Sequence, residues 1–294
     1  MIDWDDLRVF AALARAGSLS AAARELNVDH ATVGRRIAAL ERALGLRLID
    51  RLPRRAPLTP HGLAVAATLA PMAAAAVAVE RLARLAKRPA ANVRVSAPPA
   101  LAAYVIAPRL AAFQRAHPDV TIALSGAPGA AALDRGEADV AVRMGRPEKT
   151  GLVAKRIGRA RFALYAAPEV AGTPRDAWRF IGFDAELDRV TSQRWLKALA
   201  GGRELAFRAS DLFSQAQAAR AGLGVVALPR FVGDGDPSLV ELSVEPAPPT
   251  QDFWLLVYPD ARRAAATRAA TAFLAETVGR ACPIAERAAP EARR

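Results

Sequence analysis

Three groups of side chains are equipped for chemistry, and in each the chemistry is anion holding rather than bond making. Arg35, Arg36 and Arg42 lie close together, with Thr32 among them and Asp29, His30 and Ala31 just ahead. Arg51, Arg54 and Arg55 crowd a short stretch around Pro53. Guanidinium groups present a planar fork of donors that suits phosphate oxygens and the guanine edge. Ser96, Arg143 and Ser210 each follow or end an apolar run. A hydroxyl or guanidinium at such a place can hold a small carboxylate. No metal set is expected, because His30, His61 and His117 lack metal spacing. A Gly-Lys-Ser/Thr phosphate loop and a Gly-x-Ser-x-Gly elbow are both missing.

The elements that must position the first group are short helices. Residues 4–16 predict a helix with Trp4, Leu7, Phe10, Ala11 and Ala14 on one side, closed by Gly17. A short Ala-rich helix follows, with Ser18 or Ser20 as its N-cap. A polar break at Asn27–Asp29 leads into a second helix capped by Asp29. There Val33, Ile37, Leu40 and Leu44 form an apolar stripe, while Thr32, Arg35, Arg36 and Arg42 fall on the other side. The plain reading is a helical hairpin with a solvated basic face. The order of small-residue helix, tight turn, cap and basic helix favours a helix-turn-helix, whose second helix enters the major groove.

At these residues the chain resembles the LysR-type transcriptional regulators. Gly17-Ser18-Leu19-Ser20-Ala21-Ala22-Ala23 fits that family's signature, as do Val33, Arg35, Ile37, Leu40, Glu41, Leu44 and Gly45. Asp29-His30-Ala31-Thr32 stands where the family usually has Ser-Gln-Pro-Ala, and Gly34 where it usually has Ser. These departures bear on the DNA sequence read, not on the fold. The resemblance implies a helix-turn-helix from about Leu19 to Ala38. It implies DNA contacts at Ser20, Asp29, His30, Ala31, Thr32, Arg35 and Arg36, with Arg51, Arg54 and Arg55 on a wing.

Bulk composition agrees. The chain has 294 residues, 52% hydrophobic, with net charge +12 and a pI near 11.0. Such a balance favours a polyanionic partner and excludes a disordered chain. The single cysteine, Cys282, permits no intrachain disulfide and fits a reducing cytoplasm. Its two readings are a redox sensor and an inert thiol. The acidic start, Met1 to Asp6, lacks the form of a signal peptide. Gly62 to Val79 carries no charge, but it is mostly Ala with Pro71 inside, so no membrane association is expected.

Leu46 to Arg51 predicts a short strand, and Pro57-Leu58 its return, with the arginine cluster at the tip. A solvated loop is the alternative to this wing. Thr59 and Pro60 form a cap and first-turn proline for a helix to about Leu85. Its stripe of Val65, Leu69, Met72, Ala76, Val79 and Leu82 suits pairing with a second helix. The family resemblance makes this the dimer contact; packing on its own domain is the alternative. Strands and helices then alternate. Strands are expected at 93–96, 120–124, 138–142, 152–157, 161–166, 180–183, 205–209, 225–228 and 253–258, and helices at 100–116, 130–136, 211–220 and 262–277, with one more after 180–183 running through Trp195. The alternation predicts two α/β units on parallel sheets, the last helix returning to the first unit. This half resembles the effector-binding half of the same family, built like a periplasmic solute-binding protein. Leu110-x-x-Phe113 to Val120, Leu133 to Ala141 and Ala221-Gly222-Leu223-Gly224-Val225 to Pro229 carry the likeness.

The expected organisation is a winged helix-turn-helix at 1–60, a linker and dimerisation helix with hinge at 61–92, and an effector domain at 93–282. That domain divides into 93–160 plus 263–282 and 161–262, with a disordered tail at 283–294. The effector is expected at Ser96, Pro98, Pro99, Ala100, Arg143, Gly145, Ser210 and Asp211, at the carboxyl ends of strands. Double-stranded DNA, a small-molecule co-inducer, a second or further copies of the chain (homodimer or homotetramer) and RNA polymerase are the implied partners. No cofactor is expected beyond the effector. A transport-linked solute-binding module and an α/β enzyme are the rival readings.

Overall fold

The computed structural model describes residues 2–50, 56–86, 92–126, 138–147 and 151–285. The wing tip with Arg51, Arg54 and Arg55, the helix expected at 130–136, most of the hinge and most of the tail lie outside them. The chain forms two compact units, Met1–Lys87 and Arg88–Arg294.

In the first unit, α1 (Trp4–Ala16) starts at Asp3, whose side chain accepts from the Asp5 backbone N–H. Of the two serines open as the cap of α2 (Leu19–Leu26), Ser18 fills the place, accepting from Ala21 N at 3.2 Å. Asn27 turns the chain in the left-handed region (φ 53°), a conformation Asn tolerates better than most residues. α3 (His30–Leu44) begins at Asp29 and ends at Gly45. Val33, Ile37 and Leu40 are fully buried against Phe10 and Leu13 of α1 and Leu48 after the helix, so the apolar stripe is the core face. Among the described residues of the wing, its two sides are joined by an antiparallel bridge, Ile49 with Leu58, with Asp50 N donating to Pro57 O at 2.9 Å. Glu41 of α3 anchors its base by accepting from Leu48 N at 2.8 Å.

α4 (Pro60–Ala86) follows, capped by Thr59, whose Oγ1 accepts from Gly62 N at 3.0 Å. The stripe expected to meet another helix divides. Val65, Leu69 and Met72 pack on the core of their own unit, whereas Ala76 and Val79 are exposed. The first half of the helix therefore follows the plainer alternative.

Among the described residues the second unit holds nine strands in the order β2-β1-β3-β9-β4-β7-β5-β6, with β8 paired to β4. They are β1 (Asn92–Ala97), β2 (Thr121–Gly126), β3 (Val140–Met144), β4 (Val153–Ala166), β5 (Phe180–Phe183), β6 (Leu205–Ala209), β7 (Val225–Pro229), β8 (Val240–Leu242) and β9 (Thr250–Val257). The sheet is mixed, not parallel as expected. β1 pairs in parallel with β2 and β3, and β5 with β6 and β7, but β9 runs antiparallel to β3 and β4, and β4 antiparallel to β7 and β8.

The two strands expected at 152–157 and 161–166 are one long strand, β4, with a bulge between Arg156 and Gly158. Gly158 lies between the two expected strands, and its bare Cα serves a close approach. A Cβ there would lie 2.8 Å from Cys282 O and 2.9 Å from a Val278 methyl. The helix expected at 100–116 is a broken run: a short turn at Pro99–Leu101, a π segment at Ala102–Ile106, a 3-10 turn at Ala107–Arg109, then α5 (Leu110–Ala116). Pro108 has no N–H for the regular ladder, which accounts for the break. α6 (Thr191–Ala200) and α7 (Leu212–Arg220) flank β5 to β7, and α8 (Ala265–Ala281) returns to the first strands. Ala270, Leu274 and Val278 of α8 are fully buried in the cluster that contains Val93, Val95 and Val142.

Candidate functional site

On α3 the side opposite the core carries exposed His30, Ala31, Arg35 and Arg42, with Ser20 exposed on α2. The cap comes first. Asp29 Oδ1 accepts from Thr32 N at 2.6 Å, and Oδ2 from the Thr32 hydroxyl at 2.7 Å. These bonds to the ionised form hold the Asp29 carboxyl below its usual range. Thr32 Oγ1 in turn lies 3.4 Å from Arg35 Nη2.

Arg36 departs from its expected DNA-facing place. Its guanidinium turns to the start of α1, where Nη1 lies 3.2 Å from Asp3 and 3.1 Å from Asp6, and Nη2 3.0 Å from Asp5. Asp6 is buried. Three carboxylates gathered at one helix start need counter-charge; Arg8 of α1 pairs with Asp5, and Arg36 reaches all three. The Asp6 hydrogen bond is the largest of the influences that raise the pKa of Arg36. The clue was in the sequence, as Asp3, Asp5 and Asp6, but their partner lies thirty residues on.

Gly34 occupies the middle of α3 with nothing within 4 Å of where a Cβ would stand. Gly34→Ala is therefore expected to stabilise the protein by about 0.5–1 kcal/mol, by lowering the entropy lost on helix formation. Urea unfolding reads it; an unchanged or lowered midpoint would contradict the open space.

In the second unit, Ser96 at the end of β1 and Arg143 at the end of β3 meet. Arg143 Nη2 donates to Ser96 Oγ at 2.7 Å, and Nη1 to the Val142 carbonyl at 2.8 Å. Arg143 is only 6% exposed and Ser96 1%. The Nε of Arg143 has no acceptor among the described residues, and no described carboxylate pairs with it. Burial pushes its pKa down. A buried cation of this kind favours an anion beside it.

The other expected effector residues lie differently. Pro98 and Pro99 open the short turn after β1, and Ala100 is buried with Ala163, Tyr165 and Ile181 of the second half. Gly145 (φ 82°) donates its N–H to Asp252 O at 3.0 Å. Ser210 is exposed, and Asp211 is taken up capping α7, accepting from Ser214 N at 2.8 Å and the Ser214 hydroxyl at 2.9 Å. That bonding lowers its pKa. The structure thus joins Ser96 to Arg143 directly and gives Asp211 a structural task.

Cys282 is buried, and burial pushes its thiol up to about 12, which leaves it protonated and a poor nucleophile. Among the described residues no three His, Cys, Asp or Glu side chains gather as a metal set. No described helix is long and apolar enough to cross a membrane.

Comparison with known proteins bears on both units. Residues 4–63 match the family model "Bacterial regulatory helix-turn-helix protein, lysR family", and residues 86–279 match "LysR substrate binding domain". The chain is 30% identical over 261 residues to the Mau operon transcriptional activator of Paracoccus denitrificans, covering 89% of this chain and 91% of that protein. The solved structure of CrgA from Neisseria meningitidis is 25% identical, with TM-score 0.56, over 95% of this chain and 100% of that one. The full-length AphB structure from Vibrio cholerae is likewise 25% identical, with TM-score 0.54, over 94% and 99%.

Proposed function

Since the chain belongs to the LysR family of DNA-binding transcriptional regulators, we propose that it reads an inverted-repeat operator through α3 and the wing beside it, and answers to a small carboxylate held at Ser96 and Arg143. Its family consists of regulators rather than enzymes, and its second unit is the effector-binding kind. That disposes of the enzyme alternative. The helix-turn-helix model at residues 4–63 weighs against a solute-binding module.

The observation that carries the DNA reading is the division of α3: Val33, Ile37 and Leu40 in the core, with His30, Ala31 and Arg35 exposed at the opposite side. The N-terminal part of such a helix is what reaches base edges. Ser20 on α2 and Arg51, Arg54 and Arg55 of the wing add phosphate contacts in this reading. A symmetric site requires two copies, so the protein works as a homodimer or homotetramer, in the cytoplasm, beside RNA polymerase. The functional segments are those given by the sequence: 1–60 for DNA, 61–92 for the linker, and the remainder up to 282 for the effector. The effector acts by favouring one arrangement of the DNA-binding heads through differential affinity.

Recovery of genomic fragments bound by the full-length protein tests the DNA reading; failure to enrich any sequence at low salt would refute it. The effector site has its own test, which needs no knowledge of the ligand. Arg143→Met is expected to raise stability without ligand by about 1–2 kcal/mol, because it removes a buried charge that lacks a counter-ion. Urea unfolding of the two proteins decides. A lowered midpoint would mean that the bonds to Ser96 Oγ and the Val142 carbonyl outweigh the cost of burying the charge, and would overturn the reading of an uncompensated cation.

A further inference from the structure

The recognition helix carries two adjacent arginines, and the fold treats them oppositely. Arg36 is held by Asp3, Asp5 and Asp6 on α1. Arg35 stays exposed, and its only polar neighbour among the described contacts is Thr32. Around it the helix surface is bare: Ala31, Gly34 and Ala38 have no polar reach. In the N-terminal half of α3, the exposed side therefore offers two long groups, His30 and Arg35.

The contact to Thr32 has a fixed polarity. A threonine hydroxyl has one proton to give. Here that proton goes to Asp29 Oδ2 at 2.7 Å. The lone pairs that remain can only accept, and Arg35 Nη2 lies 3.4 Å away on that side. Asp29 Oδ1 is tied to the Thr32 backbone N–H at 2.6 Å, so the carboxylate cannot swing off. The three residues form a chain of bonds in which each donor and acceptor has one assignment. An arginine free in solvent loses considerable rotamer freedom on binding; one already leaning on a fixed acceptor loses less.

We propose that Thr32 and Asp29, which the family resemblance places among the DNA contacts, are instead positioning residues: bonded to each other and to Arg35, they orient its guanidinium for a guanine edge and so set base preference at one position of each half-site without touching DNA. This rests on the reading of α3 as the DNA-binding helix. It adds a role that the arginine alone would not have. Asp29-His30-Ala31-Thr32 occupies the segment in which this chain departs from the Ser-Gln-Pro-Ala usual in its family, so the preference it sets belongs to this chain.

The test is selection from a randomised duplex pool by full-length wild type, Thr32→Ala and Thr32→Ser. Alanine keeps the Asp29 cap on the backbone N–H and is the better helix former, so the variant folds. Wild type is expected to enrich a guanine at one fixed position per half-site. Thr32→Ala is expected to lose about tenfold of that preference, within the range one bidentate contact supplies, while its affinity for the unselected pool at low salt stays unchanged. Thr32→Ser, which restores the hydroxyl, recovers the preference. Equal base preference in wild type and Thr32→Ala would overturn the proposal. So would a uniform loss of affinity across all sequences, or a serine variant that fails to recover. A wild type that selects no sequence would bring down the underlying DNA-binding reading as well, and is told apart by that alone.

Discussion

Gly62→Ala is expected to destabilise the first unit by about 3 kcal/mol, at the upper end of the cost of overpacking a closed site. The alanine Cβ would stand 2.0 Å from the Leu48 carbonyl oxygen and 3.0 Å from its carbon. Neither side can yield cheaply. The Leu48 carbonyl accepts from Thr59 N at 3.0 Å, and the Leu48 N–H donates to Glu41 at 2.8 Å. Gly62 itself donates to the Thr59 hydroxyl that caps α4. A shift large enough to admit the methyl group breaks either the base of the wing or the first turn of α4. Urea unfolding and DNA affinity should fall together in this variant. An unaltered midpoint would mean that α4 can move away from Leu48 at little cost. The sequence Leu58-Thr59-Pro60-His61-Gly62 thereby acquires a physical reading: bridge, cap, first-turn proline and clearance, in that order.

Arg35→Ala and Arg36→Ala, two neighbouring substitutions of the same kind, are expected to give opposite results. Arg35→Ala should lower specific affinity ten- to hundredfold, the worth of one bidentate guanine contact, and reduce the salt dependence of binding, with no change in melting temperature. Arg36→Ala should lower the melting temperature, because buried Asp6 and its neighbour Asp3 lose the cation they share with Asp5, which keeps Arg8. Its salt dependence should stay that of wild type. Gel shifts on a duplex selected by the wild type, alongside thermal melts, separate the two. Equal loss of specific binding in both variants, with Arg36→Ala melting normally, would show that Arg36 leaves the acids when DNA arrives.

Local signals made the first unit readable. Caps, glycine stops and a stripe at helical spacing act within a few residues, and Asp29, Gly17 and Gly45 occupy the ends they signal. What stayed hidden depends on distant neighbours. The helical spacing put Arg36 on the basic side, but Asp3, Asp5 and Asp6 approach from another helix and claim it. Along α4 a single periodicity serves two environments, with Leu69 in the core and Val79 exposed. In the second unit Gly158 makes room for Cys282 and Val278, which follow it by more than a hundred residues. Strand direction has no local signature, so the antiparallel placing of β4 and β9 was not legible. Of the candidate effector residues, Ser96 and Arg143, polar groups ending apolar strands, meet in the fold, whereas Asp211 reads the same way in the sequence and caps α7.

The continuity of β4 has a bearing on how the second unit comes apart. Residues 153–161 bond to β9, while Phe162 to Ala166 bond to β7 and β8. Fraying on either side strips ladder bonds from a strand that the other side also uses. The two halves therefore share one cooperative fate, and a ligand at the site proposed for Ser96 and Arg143 is expected to protect β7 and β8 from opening although it never meets them.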